Sequence, residues 1–142
     1  MLPEDACILE MQIQDYEEVY ELWCKTPGMG LSDADKKENI EKFLTRNKGL
    51  SYICKIKDRI IGTILCGHDG RRGYVYHVTV AKEYRGKGIG KGLVEKSLER
   101  LKAEGIHKCH LFVFADNVTG NAFWASTGWS KREDIFVYSK SI

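Results

Sequence analysis

Long apolar runs are missing from this chain: no stretch approaches the roughly 18 residues of a membrane-crossing helix, so no membrane-spanning protein and no membrane partner are expected. An excess of either charge is missing as well. Lys and Arg number 22 against 20 Asp and Glu, a formal net charge of +2, which argues against a disordered tail and against a strongly basic nucleic-acid binder. The start, MLPEDACILEMQ, has Glu4 and Asp5 where a signal peptide carries basic residues before an apolar stretch. Cysteines at 7, 24, 54, 66 and 109 form no Cys-x-x-Cys pair, and no His lies at zinc-knuckle spacing, so they read as reduced thiols with no metal. These absences together point to the cytoplasm. No repeat, linker or low-complexity stretch divides the sequence, and residues 1–142 are expected to form a single domain. What is present is 43% apolar residues, enough for a chain of this size to bury roughly 70% of its unfolded surface without disulfides.

The pattern along the chain alternates strands with helices. Residues 6–12 read as a short strand, and Asp15 with Glu18 matches a capping box opening a helix that turns Val19, Leu22 and Trp23 inward. The connector TPGMGLSDAD leads to Ser32 and Asp35, a second helix start whose inner face uses Ile40, Phe43 and Leu44. SYICKI and IIGTILC flank Lys57-Asp58-Arg59 as a hairpin, and the turn DGRRG follows. YVYHVTVA, residues 74–81, is rich in β-branched and aromatic residues, and the glycine-rich string YRGKGIGKG follows directly. Ile89, Leu93, Val94, Leu98 and Leu101 then share a helical face up to Gly105, CHLFVF makes another strand, Asn117 opens a last helix and FVYS is expected as a closing strand. The class is α/β with a mixed, largely antiparallel sheet.

The strand-to-helix junction carries the chemistry. Such a turn aims unpaired backbone N–H groups at one place and adds the positive end of a helix dipole, which is a setting for anions. Gly86, Gly88 and Gly90 remove side chains that would hold an oxygen away, and Arg85 and Lys87 add full positive charge. The expected guest is a phosphate or pyrophosphate. A Walker loop fails, because Lys91 or Leu93 occupies the place of its second Gly, and Gly-x-Gly-x-x-Gly fails at the same two residues. What remains is Arg-x-x-Gly-x-Gly over residues 85–90, after a strand ending Val80-Ala81.

This string, VAKEYRGKGIGKGLVEKSL, resembles the pyrophosphate-binding signature of the GNAT superfamily of acyl-CoA-dependent N-acyltransferases. Asn117, an aromatic helix and Gly128-Trp129 resemble the second signature of that superfamily, and GHDGRRG resembles a loop of its YpeA-like bacterial branch. The resemblance implies a sheet with a splayed parallel strand pair, ending near Ala81 and Phe114, and about four flanking helices. It implies acetyl-CoA as co-substrate, with Val78, Val80 and Ala81 pairing with the pantetheine arm like an added strand. The N–H groups of Arg85, Gly86, Lys87, Gly88, Ile89 and Gly90 would hold the pyrophosphate. Asn117 would contact the cofactor arm, act as an N-cap, or both.

The implied reaction moves an acetyl group from a thioester to an amine by direct attack. A protonated amine has no lone pair, so a base or a water chain must take its proton. The Val80 N–H is the expected oxyanion donor, and CoA leaves as a thiolate. The chain departs from the family pattern at two positions. Trp124, on the cofactor side, stands where many members place a Tyr acid, and Phe112 stands where many carry a Glu base. Strand alternation puts Tyr74, Tyr76 and Val78 on one face with His77 on the other, so Tyr76, then Tyr74, are expected to relay a proton through water, with His77 packing or hydrogen-bonded opposite them. His110 is a weaker base candidate.

The acceptor is expected to be a small-molecule or peptide amine, walled by Trp23, Met29, Trp129 and the TPGMGLSDAD connector. Asp33 and Asp35 are read either as a lure for a cation or as a helix start, and Arg71 and Arg72 either as a grip on an acidic substrate or as a solvated turn. The rival reading is a non-catalytic acyl-CoA-binding regulatory module, motivated by Trp124 and Phe112. A monomer and a homodimer are both compatible with the sequence.

Overall fold

The computed structural model describes residues 2–142. Its packing separates two units, one ending at Phe112 and one running from Val113 to Ile142. In the first unit the elements follow as β1 (Cys7–Glu10), α1 (Tyr16–Cys24), α2 (Lys37–Arg46), β2 (Tyr52–Ile56), β3 (Arg59–His68), β4 (Gly73–Val80), α3 (Ile89–Ala103) and β5 (Cys109–Leu111). The five strands form one sheet in chain order. Its first three pairings are antiparallel and β4 with β5 is parallel. With α4 (Val118–Ser126) in the second unit the described residues form four α-helices beside a mixed, largely antiparallel sheet, as expected.

Local signals account for most of these elements. Lys57 and Asp58, at φ +52° and +64°, both take the left-handed conformation that a two-residue hairpin turn of type I′ requires, so Arg59 already pairs with Ile56. One sheet face meets α1 and α2 in a core of Met11, Val19, Trp23, Ile40, Ile53, Ile60 and Leu65. The other face carries α3, whose Ile89, Leu93, Val94 and Leu101 are buried.

Several expectations change. The first capping box sits one turn earlier: the Asp15 carboxylate accepts the Gln12 N–H at 2.9 Å and opens a 3-10 turn ahead of α1. Glu18 is thereby free to accept the Ile60 N–H at 2.7 Å, which ties α1 to β3. Ser32 and Asp35, expected at the start of the second helix, likewise form a box on a 3-10 turn, Asp33–Asp35, ahead of α2: Asp35 accepts the Ser32 N–H at 3.0 Å and Ser32 accepts that of Ala34 at 3.2 Å. The strand expected over CHLFVF stops at Leu111. FVYS forms no strand, and Phe136 and Tyr138 are 87% and 94% exposed. Their β propensity is real, but it becomes structure only where a neighbouring strand takes up the peptide groups and one face is buried.

The second unit is organised by the two ends of α4. The Asn117 side chain accepts the Gly120 N–H at 2.9 Å at the start. At the finish, Gly128 at φ +94° lets the Trp129 N–H reach the Trp124 carbonyl at 3.1 Å, with the two indoles 5.1 Å apart. That bond and the accompanying apolar contact are the Schellman stop of a helix.

Candidate active site

In the first unit, β4 pairs along its outer edge only at its start. Pairing with β5 runs through Gly73↔Cys109, Tyr74↔His110 and Val75↔Leu111 and then ends. From Tyr76 to Val80 no strand lies along that edge among the described residues, and this is the splayed pair. Gly62 faces Val80 while the Ala81 N–H donates to the Ile61 carbonyl at 2.7 Å. That pattern makes Gly62 and Val80 a pair without mutual hydrogen bonds, so the peptide groups of Val80 turn toward the open edge. Val78, two residues earlier, turns its peptide groups the same way. The Val80 carbonyl is taken by Arg85 Nε at 2.9 Å, and its N–H has no acceptor among the described residues.

Beyond β4 a 3-10 turn, Lys82–Tyr84, leads to the glycines. Gly86 and Gly88 stand at φ +77° and +81°, a region open to glycine and strained for other residues, and a Cβ on Gly86 would meet nothing within 4 Å. The Gly92 N–H is the first to bond back into the helix, to Gly88 at 2.9 Å. Among the described residues the N–H groups from Gly86 through Lys91 have no protein acceptor. They gather at the positive end of the 15-residue α3. The expected set shifts by one residue, because the Arg85 N–H is directed at the Lys82 carbonyl at 3.4 Å. Lys91 takes the added place.

The body of β4 departs from simple alternation. Its register with β3 moves from Leu65↔Tyr76 to Thr63↔Thr79, so β4 holds one extra residue, and His77 has φ +49°. This bulge turns His77 to the same face as Tyr76, contrary to the parity expectation. The His77 ring lies 4.7 Å from Trp23 of α1 and its Nε2 is 2.7 Å from Asp35 Oδ1, whereas Tyr76 meets Phe43 of α2 with ring centroids 6.1 Å apart. Alternation after the bulge then sets Val78 opposite His77 and Thr79, whose hydroxyl is 2.9 Å from that of Thr26.

Tyr74 stacks on Phe112 at 6.4 Å, and Tyr74 and Tyr76 line a hollow of about 290 Å³ with Phe43, Arg46 and Asp69. Burial, and then the neighbouring Tyr74, push the Tyr76 phenol above its ordinary value. Of the proposed acceptor walls, Trp23 is fully buried and donates to Thr63 Oγ1 at 3.0 Å, so it belongs to the core. Asp35, 5% exposed, serves His77 and its own turn and offers nothing to a surface cation. Arg71 and Arg72 donate their backbone N–H groups to Asp69 Oδ1, each at 2.8 Å, in an exposed turn. Asn117 and Trp124 lie in the second unit, where each has the capping role described above. The His77–Asp35 pair was missed: the two residues are 42 apart, and no sequence spacing announces them.

A strand edge unpaired beyond Val75 thus runs on into a cluster of free N–H groups at the start of a helix. The model of the Acetyltransferase (GNAT) family matches residues 16–129. A relative named Acetyltransferase plu1384, from Photorhabdus laumondii, is 36% identical over 105 residues, 72% of this chain and 71% of its own length. Acetyltransferase SG1711 of Sodalis glossinidius is 27% identical over 90% of this chain and 89% of its own. Among solved structures, the PaiA N-acetyltransferase of Thermoplasma acidophilum in complex with coenzyme A superposes with a TM-score of 0.74 at 23% identity, covering 87% of this chain and 88% of that one. The chain belongs to the acetyltransferase (GNAT) family. No described helix is long and apolar enough to cross a membrane.

Proposed function

We propose that this chain, as one acetyltransferase domain over residues 1–142, transfers the acetyl group of acetyl-CoA to a primary amine of a small molecule or peptide. The observation that carries this reading is the continuity of the uncovered β4 edge with the unpaired N–H groups at the start of α3. Family membership and the coenzyme A bound by the Thermoplasma relative support it. The peptide groups of Val78 and the free N–H of Val80 face the pantetheine arm and its thioester, whereas Ala81, expected to join them, has its N–H on the Ile61 carbonyl at 2.7 Å and its carbonyl on the Tyr84 N–H at 2.9 Å. The turn from Arg85 to Gly90, with the Lys91 N–H, takes the pyrophosphate, helped by the charges of Arg85 and Lys87.

The amine nitrogen attacks the thioester carbonyl, and the oxygen that becomes negative lies at the Val80 N–H. The C–N bond forms, the C–S bond breaks and CoA departs as a thiolate. Tyr76, with Tyr74 behind it, stands on the α1–α2 face of the same edge and passes the amine proton through water. Because the thiolate is a tolerable leaving group, much of the rate comes from holding amine and thioester together.

Calorimetric titration with acetyl-CoA and CoA, repeated on Gly88→Glu, tests the reading when followed by thiol release against an amine panel. Saturable binding that the variant loses, with amine-dependent thiol, is the expected result. Binding without thiol release favours a regulatory acyl-CoA-binding module. No binding by folded protein overturns the proposal.

A further inference from the structure

We infer that His77, held by Asp35, is the final acceptor of the proton that the attacking amine gives up. This rests on the acetyl-transfer reading above and adds the base that the reading lacks. A phenol with an ordinary value near 10, raised further in Tyr76 by burial, already carries its proton at neutral pH. Tyr76 can therefore hand a proton along but cannot keep one, and the relay needs an end group that is neutral and basic under working conditions. Histidine is the side chain suited to that duty between about pH 5 and 8.

The bulge supplies one in the required place. It sets His77 directly after Tyr76 on the same face of the same strand, beside the open edge. Asp35 Oδ1 lies 2.7 Å from Nε2, so the neutral ring keeps its hydrogen on Nε2 and presents the Nδ1 lone pair. Nδ1 has no partner among the described residues. The pair is built in from three directions. Asp35 Oδ2 accepts the Ser32 N–H at 3.0 Å, and its backbone carbonyl accepts the Tyr16 hydroxyl at 2.6 Å. Thr63 Oγ1 donates to the His77 carbonyl at 2.8 Å while accepting from Trp23 Nε1 at 3.0 Å, and the Trp23 ring backs the imidazole.

A non-glycine residue at φ +49° is held there against its own preference, and such strain gathers where a site over-determines its backbone. The His77 side chain keeps 13% of its surface, enough for a water or a hydroxyl to reach. The titratable groups around it are Asp35 from the turn before α2, Tyr16 from α1 through the Asp35 carbonyl, and Tyr76 from β4. In the reaction the amine proton passes to Nδ1, directly or through the Tyr76 hydroxyl, and Asp35 stabilises the imidazolium. The proton then returns to the departing thiolate or to water.

The test is the pH dependence of kcat/KM, with whichever of spermidine, kanamycin, lysine or an alanyl peptide turns over best, for wild type, His77→Gln and Asp35→Asn. Wild type should show an acidic limb of unit slope. His77→Gln should lose that limb and fall about 100-fold or more at pH 7, with acetyl-CoA affinity unchanged within about twofold. Asp35→Asn should lower kcat/KM with acetyl-CoA affinity kept, because the imidazolium loses its partner anion and Nε2 its fixed acceptor. A limb that stays in place in a His77→Gln protein binding acetyl-CoA normally, and does not move with the ionisation of the amine chosen, overturns the assignment. If His77→Gln does not fold, wild-type kcat/KM in Asp35→Asn does the same. Should wild type bind acetyl-CoA and acetylate none of these amines, nitrogen NMR of the imidazoles decides. A His77 Nδ1 that is unprotonated at high pH and titrates between pH 5 and 9 supports the assignment, and one that is invariant overturns it. Wild type that binds no acetyl-CoA fails the acetyl-transfer reading itself, whatever His77 does.

Discussion

Gly62 decides where the first turn of α3 rests, and with it where the free N–H groups point. A Cβ at Gly62 would stand 3.1 Å from Leu93 Cδ1, 3.2 Å from Ile89 Cγ2 and 3.4 Å from the Thr79 carbonyl. Leu93 and Ile89 are 0% and 1% exposed, so neither methyl has room to withdraw and the helix itself must move. Overpacking of this kind costs about 1–3 kcal/mol. Alanine also narrows the unfolded ensemble, which returns about 0.4–1 kcal/mol at a position without a left-handed backbone. Gly62→Ala should therefore lose about 1.3 kcal/mol at the middle of those ranges, a fall in Tm of roughly 4–5 °C for a domain of this size. Acetyl-CoA affinity should fall several-fold in the same protein, because the displaced element is the one that presents the donors. A double-mutant cycle in denaturant isolates the contact. Leu93→Val removes the methyl that the new Cβ meets, so the double variant should be more stable than the sum of the single losses predicts. Strict additivity, or a Gly62→Ala midpoint equal to wild type, would refute the claim that Gly62 seats α3.

Further outcomes follow from other contacts. Lys87→Glu should weaken acetyl-CoA binding, by a margin that calorimetry finds shrinking as salt rises, since the residue is exposed and its charge is screened within about 8 Å at physiological ionic strength. Trp23→Phe removes the donor to Thr63 from a sealed position and should cost about 1–3 kcal/mol in urea unfolding. Burial pushes the thiol of Cys66 up to about 12 and that of Cys109 up to about 11. A thiol reagent at pH 8 should accordingly label exposed Cys7 and Cys24 first. Both raised thiols favour the neutral form in the folded state, so their contribution to stability is fully present below the ordinary thiol value and is lost as pH rises from there through the raised ones. Urea midpoints should fall above about pH 9 and recover part of that loss in Cys66→Ala. Asp69, held below its ordinary value first by the Arg72 N–H and then by that of Arg71, works in the opposite sense. Its support of the turn is present above the ordinary carboxylate value and lost as pH falls through the lowered one, which amide exchange at Arg71 and Arg72 should report.

The sequence was most legible where a signal is local. The hairpin at Lys57-Asp58 and the glycine turn into α3 each depend on residues within a few positions of one another, and each is where the pattern placed it. The second signature was legible as a pattern but not in its meaning. Trp124, Gly128 and Trp129 read as a mark of family, and in the structure they are the stop of a helix, held by one backbone bond and an indole pair. What escaped depends on partners far along the chain. Asp15 and Glu18 both suit a capping box, and only the distant Ile60 N–H decides that Glu18 is spent elsewhere. FVYS has every local mark of a strand, yet local marks supply neither a ladder of hydrogen bonds nor a covered face.

The bulge in β4 shows most clearly why the site was half visible. YVYHVTVA alternates well enough to be read as an uninterrupted strand, and an uninterrupted strand sends Tyr76 and His77 to opposite faces. One extra residue between the Leu65↔Tyr76 and Thr63↔Thr79 pairs reverses that conclusion for every side chain beyond it. The reversal is held by groups that no window around residue 77 contains: Asp35 on the imidazole, Trp23 behind it and Thr63 on its carbonyl. The bulge rests on the Thr63 hydroxyl at the His77 carbonyl and on the Trp23 ring as well as on Asp35, so Asp35→Asn, which removes only the charge of the imidazole's partner, should leave the bulge and the core intact and still alter the chemistry proposed at β4.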